Sequence, residues 1–320
     1  MNTEILNVLE TDLLSVEELK KEIFLKDTSE NHPLISTFLQ FVFNKKGKNL
    51  RTQLTLHSAK VFGNTNRSTY LSAILIDILH EATLLHDDVV DAAELRRGQP
   101  SANMVFGNKA TVLMGDYLLS KMIEVCTNED EFELLKIIST TLVSLSKGEL
   151  LQLNATKENE NSVEQLLKVA LYKTGSLLKA SCISGAISVG VETETKSVME
   201  NYAENLGIAY QIKDDIIDYI NEDKELYKDI KEGKINIPLA LALENVEKLE
   251  ADKIVSLVKE TANFKENIVV INDFIKNNSG IEKAEKLQDD YINKAISCLE
   301  TVSNTNDLIL FTQKIGARNY

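Results

Sequence analysis

The chain has 320 residues, of which 43% are hydrophobic and 26% charged, a balance typical of a folded globular protein. Its formal net charge of −14 disfavours nucleic acid as a partner, because phosphate backbones bind basic surfaces. The three cysteines lack metal-site spacing and predict reduced, mostly buried thiols. Residues 1–24 have an acidic amphipathic pattern unlike a signal peptide, and no uncharged apolar stretch reaches about 18 residues. We therefore expect a cytoplasmic protein that does not span a membrane.

Helical periodicity runs through almost the whole chain, and alternating strand patterns are nearly absent. After the N-terminal helix, the pattern predicts a long helix from about Ser68 to Asp91, with Ser68 as its N-cap residue. Further helical stretches cover residues 110–126, 131–155, 162–191 and 193–220, and shorter helices follow. Loops are predicted at Asn44–Asn49, Arg96–Asn108, Lys157–Ser162 and Asn221–Asn236. No shift in composition marks a boundary, so we predict one all-α bundle domain, residues 1–320.

Two acidic motifs stand at the ends of two predicted helices. DDVVD begins at Asp87 and DDIID begins at Asp214, and basic residues follow each motif. Three carboxylates within one helical turn repel one another, so something positive is expected to hold them. Asp87 and Asp91 lie on one helix face and can reach the same ions, whereas Asp88 is turned about 100° away and is expected to support the outer shell. Mg²⁺ prefers carboxylate and phosphate oxygens, so two facing acidic helices predict a magnesium and diphosphate site.

Other acidic and histidine patterns carry no such prediction. Asp289 and Asp290 are not followed by a third aspartate four residues on, and we assign them no role. The four histidines form neither an HExxH motif nor a Glu-x-x-His pair, which disfavours a transition-metal site.

Five short motifs make the sequence resemble the trans-isoprenyl diphosphate synthases, or polyprenyl synthetases, over nearly its whole length. In chain order they are GKNLR at 47–51, HEATLLHDDVVDAAELRRG at 80–98, YKTG at 172–175, GIAYQIKDDIIDY at 207–219 and KDIKEGKINIPLALAL at 228–243. The resemblance implies an all-α, single-domain bundle of the isoprenoid synthase type with a central substrate cavity. It also implies a prenyltransferase that condenses isopentenyl diphosphate with an allylic diphosphate, such as farnesyl or geranylgeranyl diphosphate.

The resemblance carries roles to individual residues. It implies Mg²⁺ as cofactor, with up to about three ions shared with the allylic diphosphate. The implied metal ligands are Asp87, Asp88, Asp91, Asp214, Asp215 and Asp218. Arg96, Lys173 and Lys228 would contact the allylic diphosphate. Thr174 and Gln211 would offer oxygen dipoles to the nascent carbocation. The released diphosphate can accept the proton, so no enzyme base is required.

Isopentenyl diphosphate needs a metal-free site of basic side chains. By resemblance these are Lys48, Arg51, His80 and Arg97. A planar guanidinium binds phosphate through two hydrogen bonds, which favours the arginines. His80 precedes Asp87 by two helical turns and so lies on the same helix face.

The sequence departs from the family pattern in two places. Asn49 and Thr52 stand where the GKRxRP form has Arg and Pro. The segment after Asp218 is also short, so the allylic-site lysine is Lys224, Lys228 or Lys234, of which we favour Lys228.

Product length is expected to depend on residues one to two turns before Asp87. In the family, an aromatic residue five positions before this motif limits products to short chains. Here that position is Ala82, followed by Thr83, and Leu79 is the next candidate to stop the growing chain. We therefore predict a medium- to long-chain product, hexaprenyl to nonaprenyl, of the kind used for quinone side chains.

Several alternatives stay open. One is a short-chain farnesyl or geranylgeranyl diphosphate synthase, and Ala82 argues against the farnesyl form. An inactive subunit of a heteromeric synthase would lack motif aspartates or basic residues, which are present here. A terpene cyclase would carry a different second metal motif. The resemblance implies a homodimer, with a heterodimer also open, and the product's apolar character suggests peripheral membrane contact for its release.

Overall fold

The computed structural model describes residues 2–25, 32–44, 49–96, 98–158, 162–191, 193–220 and 226–318. Three residues given a role above, Lys48, Arg97 and Lys224, lie outside the described residues.

Helices make up most of the described chain, which confirms the all-α prediction. They are α1 Asn2–Leu25, α2 Pro33–Phe43, α3 Leu50–Phe62, α4 Arg67–Val90, α5 Ala102–Phe106, α6 Asn108–Asn128, α7 Phe132–Glu158, α8 Val163–Ala170, α9 Ser176–Ile187, α10 Thr193–Ile220, α11 Lys228–Lys231, α12 Ile237–Leu243, α13 Lys248–Lys259, α14 Phe264–Asn277, α15 Gly280–Cys298 and α16 Asn306–Gly316. A π-helical turn covers Leu171–Gly175, and a 3₁₀ turn covers Thr261–Asn263.

One short antiparallel hairpin interrupts the helices. Its strands are β1, Leu95–Arg96, and β2, Gln99–Pro100, with Arg96 opposite Gln99. Gly98 lies in the hairpin turn at φ +74°, a conformation that favours glycine. The predicted loop Arg96–Asn108 therefore contains a strand pair and a short helix. Both elements are too short to produce a periodic sequence pattern.

The chain divides into two compact units, and the prediction of a single domain stays a prediction. The first unit comprises Met1–Leu142 and Ala180–Lys196, and the second comprises Val143–Lys179 and Ser197–Tyr320. Within the first unit, α4 packs against α1, α3 and α6. Within the second, α12 packs against α8, α14 and α15. A buried apolar cluster in the second unit comprises Ile212, Ile216, Ile237, Leu241 and Ala284.

The long helix α4 begins slightly earlier than predicted. The prediction of Ser68 as N-cap is wrong, because Asn66 holds that position. The Asn66 side chain accepts a hydrogen bond from the Thr69 amide, and the Thr69 hydroxyl accepts one from the Asn66 amide. This reciprocal pair is a capping box, and it satisfies two backbone donors that the first helical turn leaves free.

By length and composition, α4 is the one helix among the described residues that could cross a membrane. However, 61% of its apolar window is buried within the protein. Such burial is typical of a core helix, and it places α4 at the centre of the first unit's packing.

The prediction of mostly buried thiols is confirmed. All three cysteines are free, with Cys126 and Cys182 buried and Cys298 partly exposed. Burial raises the pKa of the Cys126 thiol to about 11 and that of Cys182 to about 12. Both thiols are therefore protonated and unreactive near neutral pH.

Candidate active site

The first acidic motif forms the C-terminal end of α4. Asp91 caps the helix, its amide donates to the Asp87 carbonyl at 2.8 Å, and its side chain is exposed. Ala92 then adopts the left-handed conformation at φ 48°, and the Ala93 amide donates to the Asp88 carbonyl at 2.9 Å. A helix C-terminus carries partial negative charge, so three carboxylates there are repelled by the helix and by one another.

An arginine from the hairpin offsets part of this repulsion. The Arg96 Nε and one terminal nitrogen both donate to Oδ1 of Asp88, at 2.8 and 2.5 Å. The Asp88 side chain is only 3% exposed and that of Arg96 26% exposed, so water screens the pair weakly. The sequence predicted that a positive group lies beside the first acidic motif, and Arg96 is such a group. Contact of Arg96 with a diphosphate stays a prediction.

Close packing of α6 supports the same end of α4. Nε2 of His86 lies 3.2 Å from the Val112 carbonyl oxygen and 3.3 Å from Oδ1 of Asp116. A Cβ atom at Gly115 would lie 2.3 Å from the same nitrogen. A side chain at Gly115 would therefore require the His86 ring, next to the motif, to move from this position.

The predicted isopentenyl diphosphate residues within the described chain are Arg51 and His80. Arg51 lies in the first turn of α3, and His80 lies on α4. Thr52, which replaces the family's proline, donates a short hydrogen bond to the Asp77 carboxylate on α4. Burial raises the pKa of Asp77, while this hydrogen bond and the Arg51 charge lower it. The departure at Thr52 thus adds a polar link between α3 and α4.

The predicted chain-length residues differ in exposure. Leu79 and Ala82 are fully buried in the first unit. Thr83 is partly exposed, and its hydroxyl donates to the His80 carbonyl at 2.8 Å. The control of product length by these residues stays a prediction.

In the second unit, the YKTG motif forms the π-helical turn, a structure frequent at functional sites. Lys173 Nζ lies 2.6 Å from Glu149 Oε1 and donates to Gln152 Oε1, also at 2.6 Å. Gly175, at the end of this turn, packs against Gly207 on α10. A Cβ atom at Gly207 would lie only 2.4 Å from the Cα atom of Gly175. The two glycines therefore bring the Lys173 turn directly against the helix that carries the second acidic motif.

A hydrogen-bonded chain links this turn to the second motif. The Thr174 hydroxyl donates to Gln211 Oε1 at 2.6 Å, and Gln211 Nε2 donates to Asp215 Oδ1 at 2.8 Å. The other Asp215 oxygen accepts from the Ile237 amide at 3.0 Å. The predicted pair Thr174 and Gln211 is thus brought together, and Asp215 fixes the orientation of the Gln211 amide.

The remaining aspartates of this region form a crowded acidic group. Asp218 accepts from the amides of Lys228 and Asp229, at 2.9 and 3.3 Å. Burial raises the pKa of Asp218 to about 6 and raises that of Asp215 well above its usual range, and Asp229 adds to both shifts. Burial also raises the pKa of Asp229, whose carboxylate accepts from Asn236 at 3.1 Å. A positive charge placed beside these groups would favour their ionised forms.

Sequence reasoning gave no role to Asp229 or Asn236, although both stand in the lysine-containing motif. Two lysines of that motif, Lys228 and Lys234, lie near one glutamate. Lys228 Nζ lies 3.6 Å from Glu232, and Lys234 Nζ lies 2.7 Å from it. Contact of Lys228 or Lys234 with a diphosphate stays a prediction.

A residue near the C-terminus completes the second motif's surroundings. Arg318 donates from one terminal nitrogen to the Tyr210 carbonyl at 2.8 Å, and that nitrogen lies 2.8 Å from Asp214 Oδ1. Its guanidinium carbon is 3.5 Å from the centre of the Tyr210 ring. No local pattern around Arg318 predicted this contact, since it lies far from the motif in sequence.

The donor atoms of both motifs suit Mg²⁺. Among the residues that the structure describes, no group of three or more His, Cys, Asp or Glu side chains is arranged to hold a metal ion. Mg²⁺ usually takes one or two carboxylates and completes its shell with water and phosphate oxygens. Asp91 is exposed and the Asp214 side chain is 39% exposed, so each offers oxygens of the required kind.

Comparison with known proteins agrees with the motifs. Residues 32–273 match the family described as Polyprenyl synthetase. The chain is 32% identical over 246 residues to solanesyl-diphosphate synthase 1, mitochondrial, of Oryza sativa subsp. japonica, covering 76% of this chain and 56% of that protein.

Two solved structures resemble the whole chain. A decaprenyl diphosphate synthase from Rhodobacter capsulatus superposes with a TM-score of 0.91 at 26% identity, covering 100% of both chains. A polyprenyl synthase from Caulobacter crescentus CB15, complexed with calcium and isoprenyl diphosphate, gives 0.87 at 26% identity, covering 100% of this chain and 98% of that one. The fold class predicted from sequence is confirmed.

Replacing Arg96 with Ala should destabilise the first unit, because it leaves the buried Asp88 carboxylate without this partner. We expect a loss of about 2–3 kcal/mol in the free energy of unfolding, measured by urea denaturation. Arg67→Ala is the matched control, since the Arg67–Glu129 pair is more exposed and should contribute at most about 1 kcal/mol. An equal loss of unfolding free energy in the two variants would contradict a stabilising role of the Arg96–Asp88 pair.

Proposed function

Because the chain belongs to the polyprenyl synthetase family, we propose that it is a Mg²⁺-dependent trans-prenyltransferase. It condenses isopentenyl diphosphate with an allylic diphosphate, farnesyl or geranylgeranyl diphosphate, to make a medium- or long-chain all-trans polyprenyl diphosphate for a quinone side chain. The observation that carries the proposal is the pair of acidic motifs at helix ends, each with its basic and polar partners. The solanesyl and decaprenyl products in the names of similar proteins support a long chain.

The reaction breaks the bond between the allylic carbon and its diphosphate. The double bond of isopentenyl diphosphate then attacks the cation, and a proton is lost to the released diphosphate. Bound Mg²⁺ supplies positive charge that stabilises the departing diphosphate. Asp87, Asp91 and Asp214 are the proposed ligands, with Asp88, Asp215 and Asp218 supporting them. Asp88 does so while paired with Arg96.

The chain's own cations and dipoles complete the allylic site. Lys173, which lies between Glu149 and Gln152, is proposed to bind the diphosphate, and Arg96 and Lys228 are proposed to add to this charge. Thr174 and Gln211 stabilise the carbocation through their oxygen atoms. Gln211 keeps its oxygen toward Thr174 because its nitrogen is bound to Asp215. Lys234 is the alternative to Lys228.

The isopentenyl diphosphate site uses Lys48, Arg51, His80 and Arg97. Of these, Arg51 and His80 lie on adjacent packed helices of the first unit. Guanidinium groups hold this diphosphate through paired hydrogen bonds and need no metal ion.

The same proposal includes a homodimer in the cytoplasm, with peripheral membrane contact for release of the product. An exposed apolar surface on α5 and α6 supports the dimer. It comprises Met104, Val105, Val112, Leu113 and Ile123, and on α6 these side chains share one helix face. Exposed apolar side chains that share a helix face can pack against the same face of a second copy.

Replacing Asp87 or Asp214 with Ala should lower turnover by at least about two orders of magnitude, because each removes a proposed metal ligand. The assay incubates purified protein with farnesyl diphosphate, labelled isopentenyl diphosphate and Mg²⁺, and sizes the products by chromatography. Circular dichroism should show an unchanged helical content in both variants.

The double variant Asp289→Ala/Asp290→Ala is the matched control, since this exposed acidic pair has no proposed role. Near-normal turnover in Asp87→Ala or Asp214→Ala would refute the metal-ligand assignment. Wild-type protein that forms no product at all would favour the inactive-subunit alternative.

Ala82→Phe should shorten the product, because a bulky ring at this position on α4 would block a growing chain. The same chromatography measures product length, and Val269→Phe, which adds a ring at an exposed position on α14, should leave the length unchanged. A wild-type product that stops at geranylgeranyl diphosphate would contradict the long-chain reading. An Ala82→Phe product of unaltered length would contradict the role of this residue.

Leu113→Glu/Ile123→Glu should convert the dimer to a monomer, because each change buries a charge in the proposed interface. Analytical ultracentrifugation gives the mass directly. Val269→Glu, at an exposed valine on α14, is the control and should remain dimeric. A variant of unchanged mass, or a monomeric wild type, would count against this surface.

A further inference from the structure

We propose that Arg318 competes with Mg²⁺ for the Asp214 carboxylate, so that binding of the metal ion requires Arg318 to leave it. This inference rests on the proposed function, which makes Asp214 a metal ligand. It assigns to the C-terminal segment a role in setting the affinity of the second acidic motif for Mg²⁺.

The contact between the two side chains is close, and its arginine is largely buried. A terminal nitrogen of Arg318 lies 2.8 Å from Asp214 Oδ1, and the Arg318 side chain is only 11% exposed. The guanidinium also stacks on the Tyr210 ring at 3.5 Å, one helical turn before Asp214. Arg318 is therefore held where its positive charge acts directly on the proposed ligand.

The backbone anchors Arg318 within reach of this position. Gln288 on α15 is buried, and its Nε2 donates to the Gly316 carbonyl at 3.1 Å. The amide of Ala317 donates to the Gln313 carbonyl at 2.9 Å. Because the end of α16 is fixed in this way, release of Arg318 needs only a change in its side chain.

In this position one hydrogen-bond donor of Arg318 is unsatisfied. Its Nε is buried and has no hydrogen-bond partner. A buried donor of this kind costs free energy, which weakens the net attraction between Arg318 and Asp214. A divalent ion on Asp214 would further repel a guanidinium 2.8 Å from the same carboxylate. Both effects favour displacement of the arginine.

The test measures Mn²⁺ binding, with Mn²⁺ as a paramagnetic substitute for Mg²⁺, by electron paramagnetic resonance without substrates. Arg318→Gln should bind Mn²⁺ about three- to tenfold more tightly than wild type, since no cation then has to be displaced. Arg318→Lys keeps the charge and should stay closer to wild type. Arg67→Gln removes a surface arginine in the other unit and should leave the affinity unchanged.

A double variant separates competition from a general effect of charge. In an Asp214→Asn background, Arg318→Gln should no longer change the Mn²⁺ affinity, because the ligand for which they compete is absent. The melting temperature adds a second measure. Without metal, Arg318→Gln should melt below wild type, and saturating Mg²⁺ should abolish the difference.

Unchanged or weaker Mn²⁺ binding by folded Arg318→Gln would overturn the inference, even if the wild type makes the expected product. If Arg318→Gln does not fold, a difference in melting temperature between Arg318→Lys and wild type that saturating Mg²⁺ leaves unchanged would overturn it instead. A wild type that neither binds Mn²⁺ nor condenses its substrates would overturn the proposed function, and with it the inference.

Discussion

Crowding of carboxylates at helix C-termini is the constraint on which the candidate site depends. Asp87, Asp88 and Asp91 end α4, and Asp214 belongs to the motif that ends α10. The neighbouring charges oppose such an arrangement in both helices, and at the end of α4 the helix dipole opposes it as well. In each unit an arginine offsets part of this repulsion. A terminal nitrogen of Arg96 lies 2.5 Å from Asp88 Oδ1, and one of Arg318 lies 2.8 Å from Asp214 Oδ1.

The two arginine–aspartate pairs differ in how readily the arginine can be displaced. Arg96 places two donors on one oxygen of a buried aspartate, which suits a permanent structural pair. Arg318 meets the more exposed Asp214 and leaves a buried donor unused, which suits a partner that can be displaced. Acidic residues retained at a helix end against this electrostatic cost are expected to serve a cationic ligand. This agrees with chemistry in which the leaving group is a diphosphate.

Periodicity was enough to predict the helical class and the long helix α4. Sequence patterns failed where structure depends on local side-chain and backbone geometry or on contacts distant in sequence. The Asn66 capping box replaced the predicted Ser68 cap, because cap choice depends on side-chain geometry. The π-helical turn at Lys173 has no periodic signature. Arg318 lies 108 residues from Tyr210, so no local pattern could connect it to the second motif.

The most direct test of the account is a crystal structure with Mg²⁺ and an unreactive thio analogue of farnesyl diphosphate. We expect metal ions on the carboxylates of Asp87, Asp91 and Asp214, with diphosphate oxygens completing their shells. We also expect that the Arg318 guanidinium has left Asp214. A diphosphate bound away from these aspartates, or metal ions held by other residues, would contradict the central claim.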